Sequence, residues 1–353
     1  MTVLKLGSLF DGIGVFPLAA VHCGIEPVWA SEIEARPISI TRRHFPDMLH
    51  LGDITKISGA EVPPVDVITF GSPCQDLSQI GTRNGFAGKK SSLFYQAMRI
   101  IEEMRYATNG RYPAFCIWEN VAGAFSSNDR LDFAAMLRAF TGAEVSVPPR
   151  GWAHAGMVRG GRADTVWRLL DAQYWGEPAL VQRRKRVFVV ADFAGQRAGE
   201  VLFKPRTVLP FSAIGSSGGL PATARGGVST AQTGRQVPIV RPFSLRRMRT
   251  MAQVGDQKGF CASFGRGGEP FPTLLASVTA PFSFWYEGEE RDGFLRVLTP
   301  LECERLMGLP ENWTKYGCKD EEISDHARYR ALGNSIALPC AEYVMAGIAE
   351  VMN

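Results

Sequence analysis

Apolar runs of strand length alternate with stretches of helical period through the first half of the chain. Runs at 4–10, 28–30, 65–71, 114–118 and 187–192 end in turn-forming residues, and between them 94–107 and 131–140 set apolar side chains three and four apart. This alternation predicts an α/β fold: a mostly parallel sheet covered by helices on both faces, with ligands bound at the carboxyl ends of the strands. From about Ala194 the period is lost. Residues 215–238 are rich in Gly, Ser, Thr and Pro, 241–249 are dense in arginine, and 260–286 are rich in aromatics. Irregular loops and short strands are expected there, or a low-complexity linker, although the aromatics need something to pack on. Helical order returns where Thr299-Pro300-Leu301-Glu302 combines a capping box with proline at the first helical position, and Gly308 supplies the stop. A last helix over 338–351, apolar on one face, is expected to dock back on the first unit. The predicted division is a large domain of residues 1–193, completed by 328–353, and a small domain of 194–327 whose variable part spans about 200–295.

Composition narrows the class. With 353 residues, 45% hydrophobic and 21% charged, the chain has core material for two globular units. No stretch reads as a signal peptide or reaches the length of a membrane span, so no membrane partner is expected. Seven cysteines without a C-x-x-C pair argue against a disulfide framework and against a zinc site. The expectation is a reducing cytoplasm and no metal. The net charge of +4 is unevenly spread: residues 201–286 hold ten Lys or Arg against Asp256 and Glu269, leaving about −4 for the rest. A basic middle segment fits a polyanionic partner, and equally a solvated basic surface.

Four groups of residues carry candidate chemistry. Phe10-Asp11-Gly12-Ile13-Gly14 follows the first predicted strand, and Glu32 lies 20 residues beyond Gly12, placed to accept hydrogen bonds from ribose hydroxyls. Pro17 stands where a third glycine would complete G-x-G-x-x-G, so a dinucleotide site, another nucleotide site and a plain tight turn all remain open. Gly71-Ser72-Pro73-Cys74-Gln75 ends a strand, where the cysteine is either an aimed nucleophile or a small buried hydrophobe. Trp118-Glu119-Asn120-Val121 puts a carboxyl group on the same rim. Gln182-Arg183-Arg184-Lys185-Arg186 precedes the last strand of the large domain, and alternation points Arg184 and Arg186 to one face.

The order and spacing of these groups are more specific than any one of them. From end to end the chain resembles the DNA (cytosine-5) methyltransferase family, bacterial or phage type. The matching blocks are the Phe10–Gly14 turn, Ser31-Glu32-Ile33, Gly52-Asp53-Ile54-Thr55, Pro73-Cys74-Gln75, Glu119-Asn120-Val121, the Gln182–Arg186 block, 296–310 and Gly333-Asn334-Ser335. Within the variable stretch Thr273-Leu274 looks like that family's short Thr-Leu element. Ser91-Ser92-Leu93-Phe94, the approach Pro178-Ala179-Leu180-Val181 and about thirty extra residues between Asn128 and Trp167 depart from the pattern.

The resemblance implies a Rossmann-like catalytic domain that uses S-adenosylmethionine, with a smaller target-recognition domain. It implies transfer of a methyl group to C5 of cytosine in double-stranded DNA. Cys74 would be the nucleophile, Glu119 would bind the ring at N3 and the exocyclic amine, Arg184 and Arg186 would hold O2 and a nearby phosphate, and Asn120 would fix the nucleophile's loop. For the cofactor it implies Phe10 against the adenine and Gly12 and Gly14 at close approach. Glu32 would take the ribose, Asp53 the adenine amine, Ile33 and Ile54 would lie beside the ring, Pro73 near the methyl, and Asn334 and Ser335 at the methionine end. Gln75 and Ser78 would meet DNA, with Arg241, Arg246, Arg247 and Arg249 on phosphates and Thr273 and Leu274 in the recognition region. A monomer in the cytoplasm of a bacterial or phage-infected cell is expected, with a cognate restriction endonuclease as a conceivable partner. Three rivals stay open here: an RNA substrate on the same fold, a silent binding subunit, and a nucleotide-dependent oxidoreductase.

Overall fold

The computed structural model describes residues 3–72, 93–204, 239–242, 271, 273–274, 282–286 and 293–353. Its centre is one sheet of eight strands: β1 (Lys5–Leu9), β2 (Glu26–Ser31), β3 (Leu49–His50), β4 (Val67–Phe70), β5 (Phe115–Val121), β6 (Ala155–Arg159), β7 (Asp164–Asp171) and β8 (Lys185–Asp192). In space they run β3-β2-β1-β4-β5-β8-β7-β6. The strands from β3 to β5 are parallel, whereas β8 is antiparallel to both β5 and β7, and β6 folds back on β7. The mixed, mostly parallel sheet of an α/β methyltransferase fold is thus present, and the five predicted strands all lie in it.

The short apolar runs form strands because both faces are covered. Leu6, Val67, Ile117, Phe188 and Val190 pack on one face beneath α1 (Val15–His22) and the C-terminal helix α8 (Leu338–Met352). Leu9, Trp29, Phe70, Trp118 and Val189 pack on the other, beneath α3 (Leu93–Ala107) and α4 (Leu131–Thr141). A strand buried on both sides carries apolar residues at every position, which is why alternation is absent from it. Helix α2 (Ala35–His44) follows β2. Helix α5 (Ala198–Leu202) follows β8.

Two boundaries differ from the expected ones. Residues 194–204 were assigned to the small domain, but α5 is packed on the large one. Arg168 Nη1 and Tyr343 Oη both donate to Leu202 O, at 2.8 Å each, and Val201 is wholly buried. On the return, residues before 328 already belong to the core. In α6 (Pro300–Leu306) Thr299 N donates to Glu302 Oε2 at 2.8 Å and Glu302 N donates back to Thr299 Oγ1 at 3.3 Å, the capping box read from the sequence. Gly308 then turns at φ 73°. Trp313 Nε1 donates to Ile13 O at 2.8 Å and its ring stacks on His44 at 3.6 Å between centroids. The stretch from Leu298 therefore closes the large unit, followed by α7 (Asp325–Asn334) and α8.

The extra length between Asn128 and Trp167 makes α4 and the hairpin of β6 and β7, adding an edge strand with alternating exposure. In the variable stretch a three-stranded antiparallel sheet is described, with β10 (Phe282–Tyr286) between β9 (Ile239–Pro242) and β11 (Gly293–Val297). Among the described residues no single helix is long and apolar enough to cross a membrane.

Candidate active site

The carboxyl ends of β4 and β5 and the amino end of the antiparallel β8 meet at one rim. Register pairs Val121 of β5 with Arg186 of β8 and Glu119 with Phe188, so Glu119 and Arg186 are diagonal neighbours on the same face. Arg186 Nε lies 2.9 Å from Glu119 Oε1, and both side chains are largely buried. The two form a close ion pair inside the rim. Burial pushes the Glu119 carboxyl above its ordinary range, opposed by the positive charges of Arg186 and Arg184. Gly71 leaves room for this carboxyl, since a Cβ there would stand 3.2 Å from Glu119 Oε2.

Neighbouring groups hold the chain that leads to Cys74. Asn120, on the opposite face of β5, donates from Nδ2 to Ser72 O at 3.0 Å and accepts Val121 N–H on Oδ1 at 2.9 Å. Trp118 Nε1 donates to Ser72 Oγ at 3.1 Å. Ser72 is thus held at both its backbone and its side chain, two residues before Cys74. Pro73, Cys74, Gln75 and Ser78 lie outside the described residues, as do Arg246, Arg247 and Arg249; Arg241 falls in β9.

Arg184 departs from its expected role. Its side chain is 1% exposed, with Nη1 donating to Leu274 O at 2.9 Å and Nη2 donating to Gly333 O at 2.8 Å and to Ser335 O. The guanidinium is occupied by three carbonyls and lies in the interior rather than open on the rim. Thr273 and Leu274, expected at DNA, stand against the arginine block. Thr273 Oγ1 donates to Arg183 O at 2.6 Å, and Leu274 is buried in the core. Backbone bonds from Arg183 N to Phe271 O and from Phe271 N to Val181 O, each 2.7 Å, complete the junction.

The second half of the site surrounds the turn after β1. Phe10, Gly12 and Gly14 all take left-handed φ, at 55°, 58° and 77°, and a Cβ on Gly12 would meet nothing within 4 Å. Open space lies above that turn. Glu32 accepts Gly12 N–H on Oε2 at 2.9 Å and the N–H groups of Ile33 and Glu34 on Oε1 at 2.7 and 2.9 Å. Asp53 caps the short turn at Ile54–Lys56, its Oδ1 accepting Thr55 N–H at 2.9 Å and Thr55 Oγ1–H at 2.8 Å, which leaves Oδ2 toward the open side. Ile54 is buried, Ile33 is 72% exposed, Asn334 is the last residue of α7 and Ser335 follows it. One residue escaped the sequence reading. Both carboxylate oxygens of Asp11 are buried, and burial raises this acid to about 7, opposed by the Ser8 hydroxyl and aided by the charge of Glu32. Its signal, an acid between Phe10 and Gly12, was present but has no periodicity to expose it. Open space over a glycine turn flanked by the carboxylates of Glu32 and Asp53 has the chemistry to take S-adenosylmethionine.

Comparison with known proteins agrees with this geometry. The sequence model of the C-5 cytosine-specific DNA methylase family matches residues 4–204 and 243–350. The chain belongs to that family. The cofactor of this DNA methylase is accordingly S-adenosylmethionine, its substrate is DNA, and its reaction is methyl transfer to C5 of cytosine. The oxidoreductase reading is set aside. The type II methyltransferase M.HhaI of Haemophilus parahaemolyticus is 23% identical over 367 residues, covering 100% of this chain and 96% of that protein. M1.ScrFI of Lactococcus lactis subsp. cremoris is 25% identical over 357 residues, covering 99% and 78%. A relative from Escherichia phage P1, named a DNA N-6-adenine-methyltransferase, is 23% identical over 463 residues; the match takes in 98% of this chain but only 61% of that longer protein. Among solved structures, a prophage-encoded DNA modification methyltransferase of E. coli aligns with TM-score 0.60 at 18% identity, covering 99% of both chains. The Dnmt2 methyltransferase of S. pombe aligns with TM-score 0.59 at 16% identity, also covering 99% of both. These two likenesses concern the fold.

Proposed function

We propose that the DNA methylase acts on one cytosine within a short recognition sequence, turned out of the duplex, through a transient bond between Cys74 and C6. Cytosine C5 is a weak nucleophile because its ring is electron-poor. Addition of the Cys74 thiolate to C6 moves the C5–C6 electron pair onto the ring, and Glu119 delivers a proton to N3 as that charge builds, leaving C5 electron-rich. When bound, S-adenosylmethionine supplies the electrophilic methyl group at C5. Loss of the C5 proton to water then restores the C5–C6 double bond and expels the sulfur. Arg186 holds the charge of Glu119 and is the arginine placed to meet the base at O2. The observation that carries this reading is the buried Glu119–Arg186 pair on the rim, one strand away from the anchored Ser72 that leads into Cys74.

A cytosine inside the helix is out of reach of such a rim, so eversion is part of the proposal, at a cost of ~a few kcal/mol. Phosphate contacts from the basic segment, including Arg241, Arg246, Arg247 and Arg249, offset that cost, and binding then weakens steeply with salt. Gln75 and Ser78 fill the gap or touch the strand beside the nucleophile. A monomer suffices for a reaction on one base, the cytoplasm gives access to DNA, and a cognate restriction endonuclease belongs to the same proposal.

Duplex carrying 5-fluorocytosine at the target tests the covalent step, because fluorine replaces the proton that must leave. An adduct stable to denaturant is expected with wild-type enzyme and donor, and none with Cys74→Ser. A folded, donor-bound enzyme that forms no adduct on any fluorinated duplex overturns the proposal. The name of the phage P1 relative suggests a second reading, with adenine N6 as acceptor. Nucleoside analysis of DNA from expressing cells decides it: 5-methylcytosine supports the first reading, and N6-methyladenine alone the second.

A further inference from the structure

We propose that Trp118 is a positioning residue for the covalent step, holding Ser72 by its hydroxyl, and that the extra segment between Asn128 and Trp167 is its support. The inference rests on the Cys74 reading above and adds to it a side-chain pair and a role for that segment.

Trp118 and Asn120 stand two apart on β5, so their side chains leave the strand on one face, opposite to that of Glu119. Both reach Ser72, Asn120 at the carbonyl oxygen and Trp118 at the hydroxyl. One hydrogen bond lets a residue pivot about its acceptor. Two bonds, one to the main chain and one to the side chain, remove that freedom. Pro73 comes next in the sequence, and a proline ring takes away one torsion through which a chain could relax before Cys74. The choice of acceptor is itself informative. Trp29, Trp152, Trp167 and Trp313 give their indole N–H groups to backbone carbonyls, whereas Trp118 gives its own to a serine side chain. A carbonyl satisfies a buried indole as well as a hydroxyl does, so this bond bears on Ser72 more than on the tryptophan.

The Trp118 ring is wholly buried and held from two sides. Phe94, the second residue of α3, meets it edge to face, with centroids 6.2 Å apart and planes at 83°. Phe133 of α4 lies on it at 6.4 Å. Phe133 is packed in turn against Phe125 at 4.8 Å, Trp152 at 5.0 Å and Trp167 at 5.6 Å. Phe133 and Trp152 belong to the extra segment, and Trp167 closes it. Close-packed rings pass on a displacement because they leave no slack to absorb it. A shift of Phe133 therefore moves the indole, and the indole moves Ser72.

The test is the rate of adduct formation on 5-fluorocytosine duplex by full-length enzyme, with donor and DNA both saturating. A bond with a purely structural role would lower the urea midpoint and leave the rate of the folded enzyme unchanged. Ser72→Ala should instead slow the adduct roughly 3- to 10-fold, as fits one neutral hydrogen bond, with affinity for S-adenosylhomocysteine retained. Trp118→Phe should do the same, and the double variant should be no slower than either single one, because both remove one bond. Phe133→Leu should slow the adduct roughly 2- to 5-fold when Ser72 is present and have no effect in Ser72→Ala. Where Trp118→Phe does not fold, Ser72→Ala and Phe133→Leu carry the test. An adduct formed at the wild-type rate by folded Ser72→Ala overturns the proposal, as do losses that multiply in either double variant. A Phe133→Leu variant as fast as wild type overturns the role of the extra segment. If wild type forms no adduct, the Cys74 reading itself falls, and this proposal with it.

Discussion

Arg186 lies within 2.9 Å of Glu119, yet burial outweighs its charge, and the Glu119 carboxyl still titrates above the ordinary carboxylate range. The arginine opposes the effect of burial without cancelling it. That balance suits a group that must share a hydrogen with a ring nitrogen as charge develops there.

Replacement of Glu119 by glutamine keeps the shape and removes the transferable proton. The expected loss in kcat is roughly 10²- to 10⁴-fold, with donor affinity retained. Because the folded-state pKa of Glu119 is raised, its protonated form persists to higher pH than in an unfolded chain, and wild-type kcat should decline on the alkaline side as that proton is lost. Steady-state rates across pH check this: Glu119→Gln should lack the alkaline limb. The same sign governs stability, where the contribution of Glu119 is complete below its unfolded pKa and is lost as pH rises through the folded value.

Arg184→Met should destabilise the fold by roughly 3 kcal/mol or more, because the carbonyls of Leu274, Gly333 and Ser335 lose a charged donor inside the protein. Arg184→Lys should rescue little, since an ammonium cannot reproduce the planar fork. Urea midpoints measure the effect. A loss of activity with an unchanged midpoint would instead put Arg184 on the substrate.

Asn120→Ala removes the donor to Ser72 O and leaves donor binding untouched. The expected result is a kcat lowered by about 10- to 100-fold, in keeping with loss of positional control over a reacting group. Single-turnover rates with pre-bound S-adenosylmethionine isolate that step.

Much of the large domain was legible because burial writes itself into the pattern. The strands at Lys5–Leu9 and Lys185–Asp192, the capping box at Thr299 and the docking of the last helix all follow from runs and caps. Helix Ala198–Leu202 was missed because five residues are too few for a helical period, and its place is set by contacts with Tyr343 and Arg168 far along the chain. The β6 strand was hidden by the Gly and Arg residues around it. Alternation could not predict the depth of Arg184, which depends on Leu274 folding back over it. Asp11 was invisible for a similar reason: a buried acid is recognised by what surrounds it.

Arg184 also has a bearing on protein engineering. One guanidinium grips Leu274 together with Gly333 and Ser335 at the end of α7, so two stretches far apart in the chain share a rivet. A chimaera that imports another methylase's recognition segment should place its downstream splice before Phe271, keeping residues 271–274 native. A splice after Leu274 would import foreign backbone onto that rivet, and a new target sequence would then come with a weakened core.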